Sequence, residues 1–313
     1  MFSIIEKIIA TPFGYIMDWL YLLCGNYGVA LILFAMVVKF ALAPLEIRNR
    51  RNSEKRAALK PIEQRLQAKY RDDHKKQDAA LVALYEQEKI SLGGGCLLSA
   101  LPFIILISLF QVLYQPLVYM LHETPECAAA IVEAMKGAAP SLFKSSAYTQ
   151  LIAACHINEY ADIIKAALPD VAESTLSGLN IFFLGMDLST VPLINIFADT
   201  WVWDWAHIAA ALLPLLYISR QILQLGKFIV LNVKKELKEE KPSIQRMIQP
   251  GPLAFRLFTL AMAFSVAFSV PAGLILYWLT GSFIQYFIDK WYKKHYSPYI
   301  PPVDFDIEPD PAN

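Results

Sequence analysis

Apolar and polar positions alternate along this chain in long blocks. From Asn26 to Leu45 (NYGVALILFAMVVKFALAPL) twenty residues carry a single charge, Lys39. At about 1.5 Å per residue such a stretch is long enough for a helix to cross a hydrocarbon core about 30 Å thick. Residues 90–121 and 257–288 are each uncharged for thirty-two residues. A further apolar block over 205–226 is interrupted by Pro214 and carries Arg220 near its end. The block at 90–121 is entered through Gly93-Gly94-Gly95, and Pro102 is expected to kink it. The run 257–288 admits one long helix or two. Two helices would part at Val270-Pro271-Ala272-Gly273, the earlier one starting near Met247 with Arg256 close to the interface.

The intervening segments have other periods. Phe2, Ile5, Ile9, Phe13, Ile16 and Leu20 recur at steps of three and four, which predicts an amphipathic helix over 1–23 lying in the membrane interface. The same segment also reads as a poor first span, against which Pro12 and three charges argue. Between 46 and 91 the chain is polar and rich in helix formers, predicting two helices joined near Asp72–Lys75, with Pro61 bending the first. Residues 122–204 hold short amphipathic pieces. Within them LNIFFLGMDLS is apolar enough to rest on the membrane surface, and Trp201, Trp203 and Trp205 suit an aromatic belt. The proline-rich acidic end, 296–313, is expected to be disordered.

Composition sharpens this into a membrane protein: 56% of residues are hydrophobic and the mean hydropathy is +0.40. Formal charge is zero but unevenly placed. Lys and Arg outnumber Asp and Glu by 12 to 8 over 46–95 and by 6 to 3 over 226–250, whereas 122–204 has 3 against 10. Cytoplasmic loops collect basic residues, so the first two regions belong inside and the third outside. Lys290, Lys293 and Lys294 place the C-terminus inside as well, which selects two helices for 257–288. Five spans with the N-terminus outside result. Met1–Leu23 lacks the basic start and small-residue cleavage site of a signal peptide, and no cysteine near the start suits lipid attachment. Cys24, Cys96, Cys127 and Cys155 have no metal spacing. Cys127 and Cys155 share the outer segment, where an oxidising compartment could join them. His122, Cys127, Cys155 and His156 make a zinc set only on paper.

Lys39 is the candidate for chemistry. A lysine inside a span costs on the order of 2.5–3.5 kcal/mol on insertion scales, and such residues usually face a protein interior or a wet cavity. The bland alternative is snorkelling, because Leu45 lies roughly 9 Å further along the axis. Ser108, Gln111, Gln115, Thr280, Ser282 and Gln285 are polar positions suited to lining a groove beside it. For each, a hydrogen bond between helices is the equal alternative. With no nucleotide loop, metal cluster or catalytic triad in view, no enzyme activity and no cofactor are expected. The spans hold no Asp or Glu, which counts against a membrane enzyme. It also counts against a small secondary transporter with a buried lysine, for which repeated halves are not seen either.

Several stretches together resemble the YidC/Oxa/Alb3 family of membrane protein insertases. They are Gly25-Asn26-Tyr27-Gly28 opening a span that ends in Lys39 and Ala43-Pro44-Leu45, Leu59-Lys60-Pro61 in a basic hairpin, Leu84-Tyr85, and Gly93-Gly94-Gly95-Cys96. Val270-Pro271-Ala272-Gly273-Leu274-Ile275-Leu276-Tyr277-Trp278 completes the set, and the resemblance runs over roughly 20–295. It implies an all-α polytopic protein, with five transmembrane helices around a polar groove and a cytoplasmic helical hairpin at 46–91. The expected division is 1–23 interfacial, 24–295 insertase core with 122–204 outside, and 296–313 as tail. It further implies a bacterial plasma-membrane protein that inserts and helps fold newly made membrane proteins, alone or with the Sec translocon. Nascent membrane proteins, lipid, the ribosome and that translocon are its implied partners, without sequence-specific nucleic-acid binding. Lys39 stands where the family usually has arginine, keeping the charge but losing the bidentate fork. Leu98-Ser99-Ala100-Leu101-Pro102 departs from the family's Ile-Gln-Met-Pro, and the large outer domain of many Gram-negative members is absent.

Overall fold

The computed structural model describes residues 2–71, 73–90, 104–105, 107–143, 148–192, 205–236 and 250–301. The expectations for Gly93-Gly94-Gly95, Pro102, Trp201 and Trp203 lie outside them. The chain opens with α1 (Phe2–Cys24), α2 (Tyr27–Lys69) and α3 (His74–Gln87). A helical stretch at 107–114 breaks at Gln115 and continues as α4 (Pro116–Tyr119). Then come α5 (Pro125–Ala138), α6 (Thr149–His156), α7 (Ala161–Ala167) and α8 (Glu173–Leu176). The end of the chain is carried by α9 (Trp205–Glu236), α10 (Pro250–Ser269) and α11 (Ala272–His295). Among the described residues the fold is all-α apart from one two-stranded antiparallel ribbon, β1 (Phe182–Phe183) and β2 (Met186–Asp187).

Two compact units divide these elements. The first takes in 1–36 and 108–283, the second 37–107 and 284–313. Helices α2 and α11 each contribute to both.

In the first unit, α1 ends at Gly25, whose φ of +64° suits a residue without Cβ, and its N–H closes on the Tyr21 carbonyl at 2.7 Å. Asn26 then caps α2, its Oδ1 accepting from the N–H groups of Gly28 and Val29 at 3.0 and 3.2 Å. Its Nδ2 donates to the Phe182 carbonyl at 2.7 Å. Gly28 lies so close to Phe183 that any Cβ would collide with the ring. The landmark Gly-Asn-Tyr-Gly is thus a helix stop, a helix start, a buried Tyr27 and a close approach. The buried stripe of α1 runs through Ala10, Met17 and Leu20. Gly14 abuts the backbone of Tyr119, so α1 packs through small residues onto α4.

The outer segment of this unit has a core of its own. Ile131, Met135, Ala154, Ile157, Ile164 and Ile181 are all fully buried. LNIFFLGMDLS folds into the β1–β2 ribbon, turning through Leu184 and Gly185 at positive φ. Carbonyls just after it accept from the first N–H groups of α11: Thr190 from Ala272 at 2.9 Å and Leu188 from Gly273 at 3.0 Å. Those donors lack partners within the helix, so the ribbon caps it. The run 257–288 is indeed two helices, α10 and α11, parted at Val270-Pro271.

Helix α9 runs ten residues past the predicted end at Gly226, through Pro214 and to Glu236. It leaves Leu215, Leu216, Leu223 and Leu231 exposed, and α10 leaves Phe255, Phe258, Met262 and Phe264 exposed. Apolar faces of this kind mark surfaces that meet lipid or another protein. Among the described residues, α2 and 208–233 are long and apolar enough to cross a membrane, while Ile9–Cys24 and Leu253–Ser269 are shorter apolar helices. The protein is a membrane protein.

In the second unit, α2 continues unbroken past Pro44 and Pro61, so the expected span and the first arm of the hairpin belong to one helix. Asp73 caps α3 by accepting from Lys76 N–H at 3.1 Å. The hairpin has an apolar seam of Leu59, Leu66, Ala80, Leu84 and Ile90, flanked by Ile62 and Tyr85. Residues 296–301, the start of the expected tail, make contacts with the hairpin. Arg51 donates to the Ser297 carbonyl at 2.8 Å, and the Tyr299 hydroxyl donates to Glu88. An arginine and a carboxylate near the hairpin's two ends, Arg51 and Glu88, hold this segment.

Candidate functional site

The candidate site lies in the second unit, where the middle of α2 meets the last turns of α11. Lys39 Nζ donates to Glu46 Oε1 at 2.9 Å and to Gln285 Oε1 at 3.1 Å. Seven residues are two helical turns, about 10.5 Å of rise, and they return to the same face. Two long side chains close that gap. Lys39 is therefore not a lone charge. The acidic partner that the apolar stretch lacks stands one residue beyond Leu45, on the same helix, which continues past Pro44.

The polar set continues along the two helices. Gln285 Nε2 donates to Asp289 Oδ1 at 3.2 Å, and Arg50 Nη1 donates to that oxygen at 2.7 Å. The Arg50 guanidinium covers the Tyr292 ring at 4.3 Å from its centre, while the Tyr292 hydroxyl donates to Glu54 Oε2 at 2.7 Å. The charges thus alternate in sign, and each cation faces a carboxylate. The Lys39 and Glu46 side chains are 24% and 28% exposed, so the pair is neither solvated nor sealed. Glu46 Oε2 is buried and has no partner among the described residues.

Of the six polar candidates, Gln285 reaches Lys39. Thr280 spends its hydroxyl on the Leu276 carbonyl of its own helix at 2.9 Å. Ser282 contributes its carbonyl rather than its hydroxyl, accepting from Arg220 Nη2 at 2.8 Å within the first unit. Ser108 is fully buried in that unit, which is the setting of a packing contact. Gln111 and Gln115 are half-buried, and Gln115 marks the break before Pro116. Sequence reasoning passed over Glu46, Arg50, Asp289 and Tyr292. Their signal was spacing: Glu46 lies at i+7 from Lys39, and Asp289 at i+4 from Gln285.

The four residues of the paper zinc set are engaged separately. His122 pairs with Asp18 at 3.1 Å and stacks on Tyr15, and His156 pairs with Glu159 at 3.0 Å. Cys127 and Cys155 are free thiols and not a disulfide. Burial pushes Cys155 up to about 12. Burial, with Glu123 beside it, pushes Cys127 up to about 11.

Comparison with known proteins assigns the family. A family described as 60Kd inner membrane protein matches residues 19–298. This chain belongs to that family. Among relatives, the membrane protein insertase YidC of Granulibacter bethesdensis is 39% identical over 106 residues, covering 34% of this chain and 18% of the relative. That of Laribacter hongkongensis is 40% identical over 107 residues, covering 34% and 19%. That of Caldanaerobacter subterraneus is 35% identical over 105 residues, covering 34% and 51%. The matched part thus spans about a fifth of the first two relatives and about half of the third. No solved structure matches the chain significantly.

Proposed function

We propose that this protein is a membrane protein insertase. It receives newly made membrane proteins at the polar set around Lys39 and lowers the barrier to bringing their polar residues into the bilayer. The observation that carries this reading is an ammonium held at 2.9 and 3.1 Å by Glu46 and Gln285 on helices whose other faces are apolar. Taking an unpaired charge or polar group of a client out of water costs several kcal/mol, and a cation already fixed at the entry offsets part of that. Lys39 supplies charge, Gln285 an amide that holds the ammonium, and no covalent step is involved. Family membership and the names of the relatives support the same reading.

In this reading five helices span the membrane around a polar groove, with the N-terminus outside and the hairpin and C-terminus in the cytoplasm. The hairpin meets the ribosome or the arriving client, and insertion proceeds alone or beside the Sec translocon. Depletion of the protein should leave small single-span clients uninserted; normal insertion after depletion would overturn the reading. For topology, cysteines placed near 70, 235 and 300 should be shielded from an impermeant thiol reagent in intact cells, and one near 140 labelled. Labelling at 300 from outside would remove the five-span arrangement.

A further inference from the structure

The resting occupant of the Lys39 ammonium is a carboxylate of the same chain. It is held in a way that suits exchange. Glu46 engages Lys39 through Oε1 alone, at 2.9 Å. Its other oxygen, Oε2, is buried with no donor among the described residues. A buried acceptor without a donor is unfavourable, because it has given up water for nothing. The side chain as a whole is 28% exposed, so water is within a rotamer change. Turning Glu46 away from Lys39 breaks one ion-paired hydrogen bond and lets both oxygens hydrate. The ammonium would keep Gln285 Oε1, at 3.1 Å, as a neutral acceptor. The Arg50 side chain is not free to take Glu46 over, because it is committed to Asp289 at 2.7 Å and to Glu54 at 3.5 Å.

We propose that Glu46 is a specificity-determining residue of the client site. Its carboxylate occupies the place that an acidic side chain of a client takes on Lys39, so acidic clients enter by exchange with it. This rests on the insertase reading and adds a residue to it. The exchange conserves charge: one carboxylate leaves the ammonium as another arrives, and no proton or covalent bond moves. Neutral clients have no carboxylate to offer Lys39. The Lys39–Glu46 pair therefore weighs against acidic clients selectively, and its removal should favour them.

The test uses the full-length protein in cells depleted of the native copy. One single-span reporter carries an Asp in its inserted segment, and its twin carries a Leu there. Glu46→Gln keeps the shape of the side chain and removes its charge. It should raise the ratio of acidic to neutral insertion by about two- to fivefold, the range of a half-exposed ion pair. Glu46→Ala should raise the same ratio. In Lys39→Ala/Glu46→Gln the gain should vanish, because the ammonium for which the carboxylates compete is gone. Expression and melting in detergent are matched first. A parallel fall for both reporters would mean that Glu46 only holds the helices together, which overturns the proposal. An unchanged ratio in Glu46→Gln, while Lys39→Ala still depresses acidic insertion, overturns the role of Glu46 and leaves the insertase reading standing. If Lys39→Ala affects neither reporter, both are overturned.

Discussion

Lys39 and Glu46 lie two turns apart on one helix and meet at 2.9 Å, with Pro44 between them. The proline removes one backbone donor without ending the helix, and seven residues are two turns, so the two side chains share a face. The charge singled out by its apolar neighbours is thereby half of a pair.

That pairing sets the expected order of Lys39 variants. Lys39→Arg should retain insertion, because the sign of the charge is kept and Glu46 accepts from a guanidinium as readily. Lys39→Ala should reduce insertion of clients with acidic residues by about tenfold, which corresponds to about 1.4 kcal/mol. Lys39→Glu should be the worst, since it sets a second carboxylate against Glu46. Complementation at matched expression ranks the three. A fully active Lys39→Ala would mean that the lysine merely snorkels.

Two glycines should respond with opposite signs. A Cβ at Gly14 would fall on the backbone carbonyl of Tyr119, which has no room to yield. Gly14→Ala should therefore destabilise the first unit by about 1–3 kcal/mol, as overpacking does. Gly137 lies inside α5 with open space where its Cβ would be. Gly137→Ala should stabilise by about 0.5–1 kcal/mol through helix entropy. Melting of the purified protein in detergent would separate them, and equal shifts would contradict the packing of α1 on α4.

The hairpin depends on a narrow seam. Leu59 and Leu84 are both fully buried in it. Either one changed to Ala should cost about 2–5 kcal/mol, more than a two-helix seam is expected to spare. Trypsin should then cut faster around Lys69, Lys75 and Lys76. Unchanged cleavage would show that the hairpin is held chiefly by its ends, through Arg51, Glu88 and Tyr299.

The outer thiols should be sluggish. With Cys127 at about 11 and Cys155 at about 12, little thiolate exists at pH 8. Maleimide labelling of the folded protein should be slow there and rise about tenfold per pH unit below 11. Labelling should become fast in denaturant at pH 8. Oxidation should leave mobility on a non-reducing gel unchanged; a faster band that reverts on reduction would contradict the free thiols.

Block hydropathy and the Lys/Arg asymmetry sufficed to read a helical membrane protein with a basic hairpin, because both act through solvent and not through partners. The turn residues were equally legible. Gly25 and Asn26 stop and start helices by local rules, and Val270-Pro271 parts α10 from α11 for lack of a backbone donor. Features that depend on contact between distant stretches were not legible. That LNIFFLGMDLS folds into a ribbon capping α11 depends on carbonyls of Leu188 and Thr190 meeting N–H groups more than eighty residues away. The tie from Tyr299 to Glu88 has the same origin. At the site, the sequence identified Lys39 by the cost of a charge in an apolar run. Only the tertiary structure decided its partners, since Glu46 depends on a helix that continues past its proline and Gln285 comes from 246 residues away. An apolar environment betrays one buried charge by its cost, whereas the groups that compensate it are chosen by packing.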